Sequence, residues 1–150
     1  MNFILNRPYD TNNIFIMDGI SNNVIENGLF HRLIFSNSYM TINALIFKFT
    51  FENISLIKNF NKYKLTYSNS NINNMNNNLE IIKIENEILN KFNLNRNKKN
   101  IIHENINFET IKLYSEKELN SNYEKIDIYL KISGIWVNDN EYGLTFKFSC

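Results

Sequence analysis

The chain of 150 residues is poor in the residue types on which many functional sites depend: it has one cysteine, one proline, four glycines and two histidines. A single cysteine excludes a disulfide framework and a cysteine-based zinc site. Four glycines leave no glycine-rich loop of the kind that cradles phosphates in P-loop and dinucleotide-binding proteins. Neither His31 nor His103 has a second ligand candidate three or four residues away, and the aspartates are scattered singly. The sequence therefore predicts no enzyme, no metal site and no cofactor.

Long apolar runs are also missing. The longest, such as residues 44–47, are far too short to span a bilayer, and residues 1–10 lack the pattern of a secretory signal. Together with the single cysteine, these absences predict a soluble protein of a reducing, intracellular compartment, with no membrane partner.

What the chain does contain is enough apolar material for a core, with 43% hydrophobic and 14% aromatic residues. The length is that of one ordinary domain. We expect an irregular arm over residues 1–11, which hold the only proline, and a single domain over residues 12–150.

The amino-acid composition also reflects the base composition of the genome. The chain has 31 asparagines and 23 isoleucines against one alanine, and lysine outnumbers arginine 13 to 3. Residues with A/T-rich codons are therefore in surplus, as expected of a very A/T-rich genome. We interpret many asparagines as mutational drift on the surface.

Strand patterns dominate the first half of the chain. A short apolar run at residues 14–17 and two β-branched and aromatic runs, 28–35 and 40–51, predict strands, the last two joined by a hairpin loop at residues 36–38. Residues 57–67 predict a third strand, and the polar residues 68–78 a low-complexity connector.

One helix and a terminal hairpin follow. Residues 79–92 carry an apolar stripe at helical spacing, starting from a capping box at Asn77 and Glu80. Residues 93–100 predict an exposed basic loop, and 107–114 a further strand. Strict alternation from residue 125 to 133 predicts a strand, which a β-bulge at Gly134 interrupts before a final strand.

This order of elements predicts a β-rich fold, all-β or α+β. Its best match is a small OB-like (oligonucleotide/oligosaccharide-binding) barrel of five strands, with one helix between the third strand and the C-terminal strands. Other β-rich α+β arrangements are compatible with the same order.

Basic residues interleaved with aromatic rings are the strongest functional signal. In residues 58–67, Lys58, Lys62 and Lys64 alternate with Phe60 and Tyr63. Single-stranded nucleic acid is bound by such pairings, because ammonium groups contact phosphates while bases stack on rings. The alternative interpretation places Phe60 and Tyr67 in the core and treats the lysines as ordinary solvated surface.

The terminal hairpin offers a second set of candidates. Tyr129 and Trp136 are stacking candidates beside Lys131, although the bulge leaves open whether Trp136 lies in the core. The basic loop with Arg96 is a weaker candidate. A net charge of +1 favours a local binding groove over a surface that is basic throughout.

The hairpin at residues 131–148 also resembles a known family. Its matching residues are Gly134, Ile135, Trp136, Gly143, Leu144, Phe146 and Lys147. It is similar to the C-terminal hairpin of OB-fold single-stranded DNA-binding proteins from large DNA viruses and mobile elements. The resemblance implies a non-catalytic protein that protects or organises single-stranded DNA in replication or recombination, in the host nucleus or a cytoplasmic replication site.

Two functional hypotheses follow from these patterns. The first is a single-stranded DNA-binding protein whose phosphate contacts and stacking rings are Lys58, Phe60, Lys62, Tyr63, Lys64, Tyr129, Lys131 and Trp136. Because one OB unit covers only about 4–16 nucleotides, we expect such a protein to form homo-oligomers. The second is a β-rich viral structural or protein-interaction module without nucleic-acid binding.

Overall fold

A computed structural model describes residues 3–24 and 27–150 of the chain. Its elements within these two ranges are β1 (Ile14–Ile16), β2 (Ile20–Asn22), β3 (Gly28–Ser36), β4 (Thr41–Asn43), β5 (Leu45–Asn59), β6 (Lys62–Thr66), α1 (Ile72–Phe92), β7 (Asn97–Lys99), α2 (Ile101–Ile106), β8 (Thr110–Tyr114), β9 (Asn122–Val137) and β10 (Glu141–Ser149). The predicted β-rich fold with one main helix is confirmed. Neither helix in the described ranges is long and apolar enough to cross a membrane.

The longest strands, β5 and β9, organise the sheet. They pair antiparallel from Leu45 opposite Ile132 to Ser55 opposite Asn122. Beyond this pairing β9 continues on the same side with β3, while β10 pairs along its opposite side, and the end of β5 pairs with β6. Strand β6 pairs with β8, and β8 runs parallel to the end of β10. The short strands β1, β2 and β4 pair with β3, and β7 pairs with β10.

The core forms between the inner face of this sheet and α1. Alternation puts every second residue of β5 and β9 inside, and the helical stripe packs against them, as the sequence predicts. The fully buried side chains include Phe47, Phe49, Phe51, Ile81, Ile84, Ile88, Leu89, Ile128, Leu130 and Ile132. The β-bulge predicted at Gly134 is present, because the register with β10 skips Ser133.

Helix α1 begins seven residues earlier than the pattern predicts, at Ile72 rather than residue 79. Its N-cap is Asn71, whose side chain accepts hydrogen bonds from the backbone N–H groups of Asn73 and Asn74. The predicted connector over residues 68–78 and the predicted cap at Asn77 are therefore wrong. The asparagines of this stretch carry the first two turns of the helix.

These asparagines bond to the edge of β5 that faces away from β9. The buried Asn74 side chain accepts from the Glu52 N–H at 2.9 Å and donates to the Glu52 carbonyl at 2.9 Å. The Asn77 amide donates to the Thr50 carbonyl at 2.7 Å. We name Asn74 and Asn77 the asparagine seam, since their side-chain amides substitute for a neighbouring strand along β5.

The arm before Thr11 continues along the same edge of β5. The Leu5 N–H donates to the Ile46 carbonyl at 2.8 Å, and the Arg7 guanidinium donates to the Lys48 carbonyl at 3.1 Å. The Tyr9 hydroxyl donates to Glu87 of α1 at 2.8 Å. Residues 3–10 have no helix or strand of their own, but they are bound to the domain at three points.

Two elements that the sequence pattern misses lie between α1 and β8. Strand β7 occupies part of the predicted basic loop, and α2 follows it. The fully buried Glu85 carboxylate accepts from the backbone N–H groups of Ile102 and His103, at 2.8 and 3.0 Å, and so fixes the start of α2. Burial raises the pKa of Glu85, while these N–H donors act in the opposite direction.

Candidate nucleic-acid interface

The pairing of β6 with β8 brings basic and aromatic side chains together on the outer face of the sheet. Lys62 lies opposite Tyr114, and Lys64 lies opposite Lys112. The alternate residues Tyr63 and Leu65 point into the core. The period of two that buries one face of each strand therefore aligns the lysines on the other.

The ends of β9 and β10 extend this face. Lys147 lies opposite Lys131, and Ser149 pairs with both Tyr129 and Tyr114. Because β8 and β10 are parallel neighbours, residues distant in sequence become adjacent across four strands. We name the resulting patch the lysine–tyrosine surface; it comprises Lys62, Lys64, Lys112, Tyr114, Tyr129, Lys131 and Lys147.

Tyr114 is at the centre of this surface. The ammonium nitrogens of Lys147, Lys62 and Lys112 lie 4.6, 5.1 and 5.9 Å from the centroid of its ring. The Lys62 ammonium beside the phenol lowers the pKa of Tyr114, with a further contribution from Lys112. Three cations around one ring create a strongly positive spot that favours an anion.

Among the described residues, the lysines of the surface have no carboxylate partner. Within the described residues, ion pairs to carboxylates involve other lysines, and none involves the five of this surface. Its negative neighbours are few: Glu116 borders it beside Lys147. Five like charges held together without a carboxylate ion pair among the described residues are unfavourable for folding.

Three shallow grooves connect these side chains. A groove of about 430 Å³ lies along Phe60, Lys62, Lys64 and Lys112. A second, of about 460 Å³, lies along Tyr114 and Lys147, and a third, of about 390 Å³, along Tyr129 and Lys131. The side chains of Ser149 and Cys150 border both the second and the third grooves. The surface is therefore continuous, and it is open enough for an extended chain rather than a small enclosed ligand.

Phe60 projects from the turn between β5 and β6 beside the first groove. Its side chain is 91% exposed, and its backbone φ of 58° lies in the left-handed region that bulky residues rarely adopt. The strained backbone and the exposed aromatic ring each cost free energy of folding. Residues with strained backbones cluster at binding sites. Phe60 is thus an exposed stacking candidate, and the alternative that places it in the core is wrong.

Three further residues that the sequence predicts as binding candidates lie outside the lysine–tyrosine surface. Lys58 is exposed and ion-paired with Glu118 at 3.5 Å. Tyr63 is only 4% exposed, and its hydroxyl accepts from the Leu119 N–H at 3.0 Å, so its ring is not available to a base. Trp136 is half-buried on the outer face of β9, several residues beyond Lys131.

Three residues of the surface, Lys112, Tyr114 and Lys147, are not among the binding candidates predicted from the sequence, although Lys147 is one of the residues that carry the family resemblance. The alternation in residues 110–114 was a usable signal, because it puts Lys112 and Tyr114 on one face. Nothing local to β10 indicated that Lys147 would lie beside Tyr114, since that contact depends on the parallel pairing.

Groups suited to other chemistry are dispersed. In the described part of the chain no three His, Cys, Asp or Glu side chains converge in a way that could hold a metal ion. Nδ1 of His31 lies 2.9 Å from the Met17 carbonyl oxygen, and its ring packs against Phe92 with centroids 4.8 Å apart and planes tilted by 59°.

No protein-family model, curated protein or solved structure matches this chain. The likeness of residues 131–148 to viral single-stranded DNA-binding proteins therefore stays a prediction.

Proposed function

We propose that this protein binds single-stranded DNA without catalysing a reaction, through the lysine–tyrosine surface and Phe60. The observation that carries the proposal is the cluster of five lysines around partly exposed tyrosine rings, with no carboxylate partner in the part of the chain that the structure describes. Phosphates of a flexible strand fit the ammonium groups, and unpaired bases fit the rings. In duplex DNA the bases are paired and stacked on each other, so they cannot stack on these rings.

The arrangement of strands supports an OB-type interpretation of the fold. The pairings run from β5 to β6, β8, β10 and β9 and return to β5, which a closed barrel of five strands requires. OB folds bind oligonucleotides on the face of their second and third strands and on the adjoining loops. In this cycle those strands are β6 and β8, which carry four residues of the lysine–tyrosine surface, and the first loop is the Phe60 turn. The main helix lies between β6 and β8 in the chain, so it follows residues 57–67, which are the third strand of the predicted order and the second strand of this cycle.

A titration of fluorescently labelled oligo-dT at two salt concentrations tests the proposal. If all five lysines contact phosphate, affinity falls about 100-fold between 50 and 200 mM salt, from a slope of roughly −0.7 per contact on single strands. Binding is followed by anisotropy, with a duplex of equal length as competitor. Absence of binding at low salt, affinity indifferent to salt, or equal preference for the duplex would each contradict the proposal.

A protein-interaction module is the second candidate. It is favoured by Ile72, Met75 and Leu79, which are 63%, 42% and 58% exposed at helical spacing on one face of α1. Light scattering of the protein alone tests it, because a structural component is expected to assemble into large oligomers of fixed size without nucleic acid.

A further inference from the structure

Two aromatic rings lie flat across glycines on the outer face of β3, β9 and β10. A Cβ atom at Gly134 would lie 2.4 Å from Cζ of Phe30, and one at Gly143 would lie 2.8 Å from Cζ2 of Trp136. Any other residue at either position would push the ring off the sheet. These two of the four glycines therefore leave the space over the sheet that each ring occupies, and both rings remain partly exposed.

The rings belong to one cross-strand row. Ile20, Phe30, Trp136 and Gly143 are successive partners across β2, β3, β9 and β10. Both rings are half-buried, and Ile20 at the end of the row is 59% exposed. The row is thus a flat apolar platform that opens to the surroundings rather than to the core.

Positive charge flanks the platform. Arg32 lies opposite Gly134, is exposed, and makes no ion pair within the described residues. At the other end, Lys99 lies opposite Gly143 and pairs with Glu141 at 3.1 Å. An apolar platform beside a free guanidinium suits a planar ligand attached to an anion better than an aliphatic protein surface.

The platform is also continuous with the lysine–tyrosine surface. Both lie on the outer face of β9, with Trp136 and Lys131 on either side of the bulge at Ser133. Five residues of extended chain separate them, which is about 16 Å. A strand of a few nucleotides can therefore contact both.

We propose that Phe30 and Trp136 stack unpaired nucleobases of the same strand whose phosphates contact the lysine–tyrosine surface. This inference rests on the proposed function and adds to it a second subsite with its own ligand chemistry, the base rather than the phosphate. Arg32 contacts the phosphate next to the stacked base. The two rings tolerate any base, because every base has a flat face.

Trp136 is the only tryptophan, so its fluorescence reports on this subsite alone. The experiment compares oligo-dT with an abasic deoxyribose-phosphate oligomer of equal length, while anisotropy of the labelled ligands records binding separately. We expect both ligands to bind at low salt, but only oligo-dT to quench Trp136. Quenching by the abasic oligomer to the same extent, or oligo-dT binding with unchanged emission, overturns the inference and leaves the proposed function standing.

Variants provide a second readout. Phe30→Leu keeps the reporter and is expected to weaken oligo-dT binding about 10-fold while leaving abasic binding unchanged, since stacking contributes only to the former. Phe15→Leu is the matched control, because Phe15 is 47% exposed on β1, outside the row. Equal effects of the two variants, or a dimer that Phe30→Leu dissociates, identify the row as a protein interface and overturn the inference. Absence of any binding overturns both proposals.

Discussion

The asparagine seam and the lysine–tyrosine surface both place polar side chains against strands of the same sheet, yet they differ in where their partners are. The seam is satisfied inside the molecule: Asn74 alone bonds to both backbone groups of Glu52. The five lysines have no carboxylate partner among the described residues, and three of them share one tyrosine ring. Polar groups satisfied within the chain stabilise the fold. Unpaired like charges destabilise it, and we propose that DNA phosphates are their partners.

Breaking the seam should have the largest effect. Asn74→Ala leaves the buried N–H and carbonyl of Glu52 without partners, and we expect the free energy of unfolding to fall by about 3 kcal/mol. Urea denaturation followed by circular dichroism measures it. Asn76→Ala is the control, an exposed position in the same turn of α1, where a change within about 0.5 kcal/mol is expected. Equal free energies of unfolding for the two variants would show that the bonds of Asn74 do not stabilise the fold.

Removing charge from the lysine–tyrosine surface should lower the affinity for DNA without lowering the stability of the fold. In the triple variant of Lys62, Lys112 and Lys147 to Gln, oligo-dT affinity at 0.15 M salt should fall about 50-fold and the salt slope by about 2. Stability should stay equal or rise, because repulsion around Tyr114 is relieved.

The matched control removes the same charge elsewhere. Lys83, Lys91 and Lys125 have partners within the chain, namely Glu87, the Thr11 carbonyl and Glu52. Their change to Gln should leave the salt slope nearly unchanged. If both triple variants lose affinity alike, binding depends on net charge rather than on this surface.

Phe60 sharpens the comparison at a single residue. Phe60→Gly relieves the positive φ and should raise stability by about 1 kcal/mol. It should also weaken oligo-dT binding about 10-fold through loss of a stacking ring. Tyr39→Gly removes a ring that is 90% exposed in the β3–β4 loop, and should not change affinity. A Phe60→Gly protein that is more stable and binds unchanged would remove Phe60 from the interface.

The smallest effect concerns the pKa of Tyr114. Because the Lys62 ammonium favours the phenolate, Lys62→Met should raise the pKa of Tyr114 towards its ordinary value. A titration followed by NMR of labelled tyrosine rings measures this. Lys58→Met, which removes a lysine paired with Glu118, should leave it unchanged. Equal shifts in both variants would mean that Tyr114 senses only the general field of the protein.

Period-two and helical alternation sufficed to predict most strands, the core stripe of α1 and the exposed face of residues 62–64. They could not predict contacts that depend on long-range pairing. Lys147 reaches Tyr114 only because β8 and β10 run parallel, and the register of β10 depends on the skip at Ser133. Tyr63 illustrates a limit of composition: its neighbours are lysines, but its parity directs it inward.

The largest difference between prediction and structure concerns the asparagines at the start of α1. Residues 71–78 have the composition of a disordered connector, and interpreting them as mutational drift hid the start of α1. An asparagine side chain carries the same amide as the backbone, so it can occupy the position of a strand neighbour. Whether it does so depends on a free strand edge, which only the folded structure supplies.

The edge of β5 that faces away from β9 also affects how strongly the protein aggregates in concentrated solution. An open strand edge is a template for another chain, and charged or covering segments are the usual protection against it. Here the covering is made by Leu5, Arg7 and two asparagine amides. A chain shortened to begin at Thr11 would uncover the carbonyls of Ile46 and Lys48, and we expect it to aggregate edge to edge. We therefore expect the arm to protect this edge from pairing with a strand of another chain.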